Sequence, residues 1–304
     1  MRLVADIGGT NARLALSEDG VIEPHSVRNF ANDDWPDFYD LLENYLADHG
    51  SSTLTEMVIA LAGPIKGDRA ELTNRNWVLD VANLRKVAKC ERVVLLNDLT
   101  ALGYAVSVLG PDQFTSIHRG NVHQSNVGQS LVVGIGTGFN ASPVVRTPNW
   151  VTCLSVEAGH VSMPISVAEM LSDSIGQSSA FSTVEALFSG RGFTEFCQIY
   201  CKDTSLQGVD VIAAYGKPDA KTSTSAVNQY AALLGQLLRE LCLSYMPDSG
   251  VYLAGSVARA ISTTAPDRCT EAFGRPCHIR SDQTSNLSVI NDDRAALNGC
   301  AAYM

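Results

Sequence analysis

Two stretches of this chain set flexible, small-residue backbone beside groups able to handle charge. Asp6 lies in the apolar run "RLVADI", which breaks into Gly8, Gly9, Thr10 and Asn11. Glycines lack a Cβ, so the backbone can approach a polyanion and aim its N–H groups at it, while Thr10 and Asn11 add donors. A carboxylate at Asp6 can hold a hydrated Mg²⁺ beside the phosphates. The second stretch, "LVVGIGTGFN", repeats the order: an apolar run opening Leu-Val, then Ile-Gly, then the turn Gly136-Thr137-Gly138. Two such units predict a duplicated fold with a phosphate-facing turn from each half. An ordinary Gly-Gly hairpin could carry the first of them, so other segments must decide.

Asp98 follows Asn97 at the end of the buried run "RVVLLND". Open α/β sheets bind ligands at the carboxyl ends of their strands, and a carboxylate there can take a proton from an attacking hydroxyl. The competing role is an N-cap for the helix that begins at Leu99. In "VEAGHVSMP", Glu157 and His160 can face one small polar ligand, and Glu185 opens a helical segment expected to end at "SGRG". Carboxylates and a neutral imidazole suit bidentate bonding to neighbouring hydroxyls.

Two other nucleotide folds are excluded. The chain has no GxxxxGK[ST], and "GIGTG" lacks the spacing of GxGxxG. The Asp6–Gly9 turn leads into an alternating strand, where a dinucleotide-binding turn would open a helix.

The elements that must hold these residues alternate between strand and helix. "RLVADI" and "ARLALSED" form a hairpin, with a further strand near "HSVRNF". Asp33 or Asp34 is expected to cap a helix through "WPDFYDLLENYLADHG" that stops at Gly50. "MVIALAG" reads as a buried parallel strand, Asp80 caps the helix "VANLRKVAKC", and "LTALGYAVSVLG" is helical. An irregular connection runs through "PDQFTSIHRGNVHQSNVGQS". The longest helical pattern is "TSAVNQYAALLGQLLRELCLSYM"; "VYLAGSVARAI" is strand, Gly255-Ser256, helix, and "DRAALNGCAAYM" closes the chain as a helix.

Composition narrows function further. The 304 residues are 45% hydrophobic, enough for a sizeable core in two lobes. A net charge of -10 and pI of about 5.0 offer no basic field for nucleic acid. No apolar run approaches a membrane span and no signal-peptide core precedes Asp6, which predicts a soluble cytoplasmic protein. The eight cysteines are scattered without CxxC, as reduced packing residues would be.

The order DxGGTN, "AGPIKGDRAELTNRNW", "LLNDLTA", "GIGTG", "EAGH", "VEALFSGRG", "VYLAGS" resembles the bacterial glucokinase family, within the sugar kinase, actin and heat-shock chaperone ATPase superfamily. The resemblance runs from Leu3 to about Ala302, and "NARLAL", "TNRNW" and "EAGH" are its more specific parts. It implies an α/β, two-lobed actin-like ATPase (ribonuclease H-like) fold, with duplicated mixed β-sheet domains and a cleft between them. The small domain would span 1–105, joined by a C-terminal helix at 292–304, and the large one 106–291.

The activity implied is phosphorylation of glucose at its 6-hydroxyl by ATP with Mg²⁺. Asp98 matches the catalytic base, Asn97 a sugar-binding residue beside it, and Asn74 a residue near the sugar. Glu157, His160 and Glu185 match residues that bind the other hydroxyls. Asp6, Gly8, Gly9, Thr10 and Asn11 match the first phosphate loop, Gly136, Thr137 and Gly138 the second, and Gly255 and Ser256 the loop beside adenosine. A homodimer is also what the resemblance implies.

Three departures matter. Phe139 and Asn140 stand where the family usually has Leu-Gly, placing bulk and polarity near the phosphates or sugar and opening the choice of another hexose or amino sugar. Ser256 replaces the commoner second glycine, and the segment from Cys201 to Ala220 is short. A transcription regulator of the sister repressor-type group is disfavoured, since no cysteine cluster follows His160 and no helix-turn-helix precedes Leu3. A non-catalytic sugar- or ATP-binding protein is the alternative from another class, and other nucleotides or polyphosphate are alternative donors.

Overall fold

A computed structural model describes residues 1–49, 54–72, 75–121, 127–176, 179–276 and 284–304. The chain divides into two units, Met1–Pro111 with Asp292–Met304, and Asp112–Asn291.

In the first unit, β1 (Arg2–Ile7) and β2 (Asn11–Glu18) form the expected hairpin, with β3 (Val21–Ile22) and β4 (Arg28–Ala31) both pairing with β2. The predicted strand near "HSVRNF" is therefore shorter, because Pro24–Ser26 take a 3₁₀ turn. Helix α1 (Phe38–His49) is capped by Asp37, which accepts from Tyr39 N–H and Asp40 N–H at 2.8 and 3.0 Å. Asp33 and Asp34, the expected caps, lie in a separate 3₁₀ turn. Gly50 lies outside the described residues.

Strand β5 (Glu56–Leu61) is buried throughout and runs parallel to β1, as its continuous apolar sequence requires. A small sheet, β6 (Ile65–Lys66), β7 (Arg69–Glu71) and β8 (Val78–Asp80), precedes α2 (Val81–Ala88), which Asp80 caps through Asn83 N–H. Strand β9 (Arg92–Asn97) adds to β5 in parallel and passes directly into α3 (Asp98–Ala105).

The second unit opens with β10 (Phe114–His118), then β11 (Gly128–Ile135), β12 (Phe139–Arg146) and β13 (Val151–Cys153). Helices α4 (Ile165–Ile175), α5 (Val184–Leu187), α6 (Gly190–Cys201), α7 (Gly208–Ala213) and α8 (Lys221–Tyr245) follow. The unit ends with β14 (Gly250–Ala254), α9 (Ser256–Thr264), α10 (Pro266–Phe273) and β15 (Leu287–Ile290). The chain closes on α11 (Ala295–Ala302), which packs in the first unit against α3 and β1. Arg2 holds it there by donating to the Ala301 and Tyr303 carbonyls at 2.7 and 2.6 Å. Gly299 permits the contact, since a Cβ would overlap the Ala101 carbonyl.

The duplication read from sequence is present in the sheets. One has the order β3-β2-β1-β5-β9 and the other β13-β12-β11-β14-β15, extended by β10. In both, the first two pairings are antiparallel and the next two parallel. Each sheet carries its own core. Leu3, Ile7, Leu14, Phe38, Leu42 and Ile59 belong to the first, and Val133, Phe188, Phe196, Tyr230 and Leu253 to the second. Burying each such side chain contributes about 1.5–3 kcal/mol. The seven described cysteines are unbridged.

Candidate active site

In the first unit, the register aligns Ile7 with Leu61 and Leu61 with Asn97. The carboxyl ends of β1, β5 and β9 therefore lie in one row, and Gly8 and Asp98 each come next in sequence at that edge. Two strand spacings separate them, roughly 10 Å. Asp6 sits on β1, where Arg13, its cross-strand partner on β2, reaches its Oδ2 at 3.3 Å.

Burial pushes the Asp6 carboxyl up to about 6; Arg13 pulls it down and the charge of Asp98 pushes it up again. Burial also raises Asp98, opposed by hydrogen bonds from the Leu99 N–H and its own. Leu99 N–H is shared, reaching Asp98 Oδ1 at 2.8 Å and Asn97 Oδ1 at 3.0 Å. Asn97 is the residue that caps α3, in extended conformation, and Asp98 is the helix's first residue. A carboxylate held at an elevated pKa on the first turn of a helix is suited to accept a proton near neutral pH.

The turn Gly8–Thr10 is braced by a residue absent from the sequence-based set. Asn32, wholly buried, donates its side-chain Nδ2 to the Gly8 carbonyl at 2.9 Å and its backbone N–H to the Thr10 carbonyl at 2.8 Å. A buried polar residue just beyond a short strand is the signal that points to it.

In the second unit, β11 and β12 are joined by the turn Gly136–Gly138, closed by Gly136 N–H to the Gly138 carbonyl at 3.0 Å. Gly255, at φ +92°, lies so close that a Cβ would overlap the Ile135 carbonyl, and Ser256 opens α9. The exposed Ser256 side chain is accommodated without displacing Gly255, whose conformation only glycine adopts readily. Glu185 is tied to the turn directly, its Oε2 accepting the Phe139 N–H at 2.9 Å, and a Cβ at Gly138 would overlap that carboxylate. The expected helix from Glu185 to "SGRG" is two helices. Alpha5 breaks at Phe188, and Ser189 caps α6 by accepting from Gly192 N–H at 3.1 Å, so "SGRG" begins a helix rather than ending one.

Glu157 and His160 are exposed at the two ends of one turn, with His160 N–H donating to the Glu157 carbonyl at 3.2 Å. Asn140 organises that segment. Its Nδ2 donates to the Val156 carbonyl at 2.7 Å and its Oδ1 accepts from Ala158 N–H at 2.9 Å. The polar departure at position 140 is thus a splice between β12 and the Glu157 turn. Phe139, by contrast, is a core residue: it is buried at 4% exposure, with its ring 6.4 Å from that of Phe188. Its bulk packs in the core of the second unit, because alternation along β12 turns position 139 inward. Asn74 lies outside the described residues.

One feature of the second unit was invisible in sequence. A groove of about 610 Å³ is lined by Gly190, Arg191, Thr194, Glu195, Gln198 and Gln207. It adjoins the second turn, since Gly190 N–H donates to the Gly136 carbonyl at 2.8 Å.

The donor set fits a hard divalent cation held largely by a ligand's own oxygens. Among the described residues no cluster of three acidic, histidine or cysteine side chains exists, while Asp6 offers a half-buried carboxylate with one partial neutralising partner. Mg²⁺ characteristically binds through one or two carboxylates plus phosphates and waters. No described helix is long and apolar enough to cross a membrane.

Comparison with known proteins bears on the family and the fold. The family model for Glucokinase matches residues 3–304. A glucokinase of Caulobacter sp. (strain K31) is 31% identical over 99% of this chain and 94% of its own length. The crystal structure of glucokinase from an Antarctic psychrotroph superposes with a TM-score of 0.84 at 26% identity, covering 99% of this chain and 97% of that one. A ROK family glucokinase from Streptomyces griseus, in complex with glucose and AMPPNP, shares the fold with a TM-score of 0.61 at 16% identity, over 99% and 97% of the two chains.

Proposed function

This chain belongs to the glucokinase family, and on that premise we propose that it transfers the γ-phosphoryl group of ATP to the 6-hydroxyl of glucose with Asp98 as the base. The observation that carries the assignment of Asp98 is the aligned row Ile7, Leu61, Asn97, which sets its carboxylate at the same sheet edge as the Gly8–Asn11 turn. The elevated pKa of Asp98 supports the role, because a base nearer to the working pH takes the hydroxyl proton more readily.

Phosphoryl transfer asks for positioning and charge neutralisation more than covalent help. The amides of Gly8–Asn11 and of Gly136–Gly138 would receive the phosphates, and Gly255 and Ser256 would lie beside the adenosine. The groove next to Gly190 would take the nucleoside, which its link to Gly136 supports. Asp6 would hold Mg²⁺, which when bound neutralises phosphate charge. Asn97, Glu157, His160 and Glu185 would bind sugar hydroxyls, as would the neighbourhood of Asn74. A cytoplasmic location and a homodimer belong to the same reading.

A coupled assay of ADP release tests it, with Mg-ATP against a panel of hexoses and amino sugars, run beside Asp98→Ala. Turnover with glucose that disappears in the variant is the expected result. Turnover with a different sugar would shift the substrate and direct attention to the Asn140–Glu157 splice; turnover retained in Asp98→Ala would remove Asp98 from the chemistry. No turnover with any sugar would leave a binding protein.

A further inference from the structure

We propose that Asn32, locked by Arg75, is a positioning residue that holds the first turn open as an anion receptor. The inference rests on the phosphate-binding reading of Gly8–Asn11. A peptide group is planar and trans, so its N–H points opposite to its C=O. By bonding the Gly8 and Thr10 carbonyls, Asn32 turns the Gly9 and Asn11 N–H groups away from itself.

Asn32 also removes the acceptors that would close the turn upon itself. A tight two-residue hairpin is completed by a return bond from the residue after the turn to the carbonyl before it. Here Gly8 N–H reaches the Asn11 carbonyl at 2.9 Å, but the Gly8 carbonyl is taken by Asn32 Nδ2. The Asn32 carbonyl faces Thr10 across the β2–β4 ladder, yet it accepts from Arg75 Nη1 at 3.0 Å and from Trp35 N–H at 3.2 Å. Among the described residues, the N–H groups of Gly9 and Thr10 have no partner.

Arg75 is itself fixed, paired with Asp33 and with its guanidinium 5.2 Å from the centre of the Trp77 ring. Among the described residues, Asn32 Oδ1 and Arg75 Nε are buried without partners. Unpaired buried polar atoms are costly, and a fold that keeps one on each of two hydrogen-bonded residues has placed these side chains for something besides stability.

The test measures ADP affinity by calorimetry in the presence of Mg²⁺, together with separate KM values for ATP and glucose, for wild type, Asn32→Ala and Arg75→Met. Loss of about 10-fold in ADP affinity and a matching rise in KM for ATP are expected for Asn32→Ala, the size of one well-made hydrogen bond. Arg75→Met, which removes the guanidinium and keeps an unbranched side chain, should lose about 3-fold. KM for glucose should stay within about 2-fold in both. Wild-type ADP affinity in the variants, or equal damage to both substrates, overturns the proposal. Should Asn32→Ala fail to fold, Arg75→Met carries the test alone, its side chain being partly exposed. A wild-type protein that neither binds ADP nor turns over any sugar would instead overturn the phosphate-binding reading, and this inference with it.

Discussion

The two hairpin turns, Gly8–Thr10 and Gly136–Gly138, begin from nearly the same sequence and occupy the same place in sheets of the same strand order. Their support differs. The first is braced by a side chain, Asn32, and stands beside two carboxylates with raised pKa values, Asp6 and Asp98. The second is braced mainly by backbone, with the Glu185 carboxylate on the Phe139 N–H. Gly190 bonds the Gly136 carbonyl, and Gly255 presses on Ile135. At the position matching Asp6 it carries Gly134, paired with Asn140. One copy of the fold has thus gathered the two carboxylates with raised pKa values, while the other has gathered the glycines that let backbone approach backbone. The duplicated architecture fixes where a turn goes; the residues around it decide how much charge and how much shape it supplies.

That contrast can be broken first at its chemical end. Asp98→Asn, which keeps the shape but not the basicity, should lower kcat by about 10²–10⁴-fold with ADP affinity nearly unchanged. A kcat within a few-fold of wild type would mean that the acidic turn holds no base.

The next largest effect concerns Asp6. Its folded pKa of about 6 lies above the 3.8 of an unperturbed side chain, so the folded state binds the proton more tightly than the unfolded one. The stability this contributes is complete below about pH 4 and is lost as pH rises through about 6, a change of about 3 kcal/mol at most. Denaturant unfolding of the metal-free protein at pH 4.5 and pH 7.5 should show that term, and Asp6→Asn should lack it. Identical pH dependence in the two proteins would deny that burial dominates at Asp6.

On the backbone-braced side, Gly255→Ala introduces a Cβ at φ +92° against the Ile135 carbonyl and should destabilise the protein by about 2 kcal/mol. A melting temperature equal to that of wild type would show that the second turn does not depend on this contact. Glu185→Gln should have the smallest effect, about 1 kcal/mol, because an amide oxygen can still accept the Phe139 N–H. Its signature is a rise in KM for glucose with ADP affinity unmoved; the reverse pattern would reassign Glu185 to the nucleotide.

Much of this was legible in the chain. Apolar runs bounded by glycine located β1, β5, β11 and β14, and one ending at Asn97-Asp98 located β9, because buried parallel strands demand continuous hydrophobicity. The Asp80 cap followed from local hydrogen-bonding chemistry, which acts within three residues. The same logic misassigned the cap of α1 to Asp33 or Asp34: Asp33 is drawn off by Arg75, 42 residues away, and no local signal announces that pairing. The roles of Phe139 and Asn140 depended on which way each side chain points once β12 is in its sheet.

The sequence by itself determined the elements, the duplication, the glycine turns and the acidic residues at strand ends, since these follow from short-range sterics, hydrophobic period and backbone hydrogen bonding. Only the tertiary structure decided that β1, β5 and β9 end in one row, that Asn32 holds the turn open, and that Asp6 and Asp98 share a buried setting that raises both pKa values. Register, burial and electrostatic coupling join residues far apart in the chain, and they take their values only when the sheet has formed.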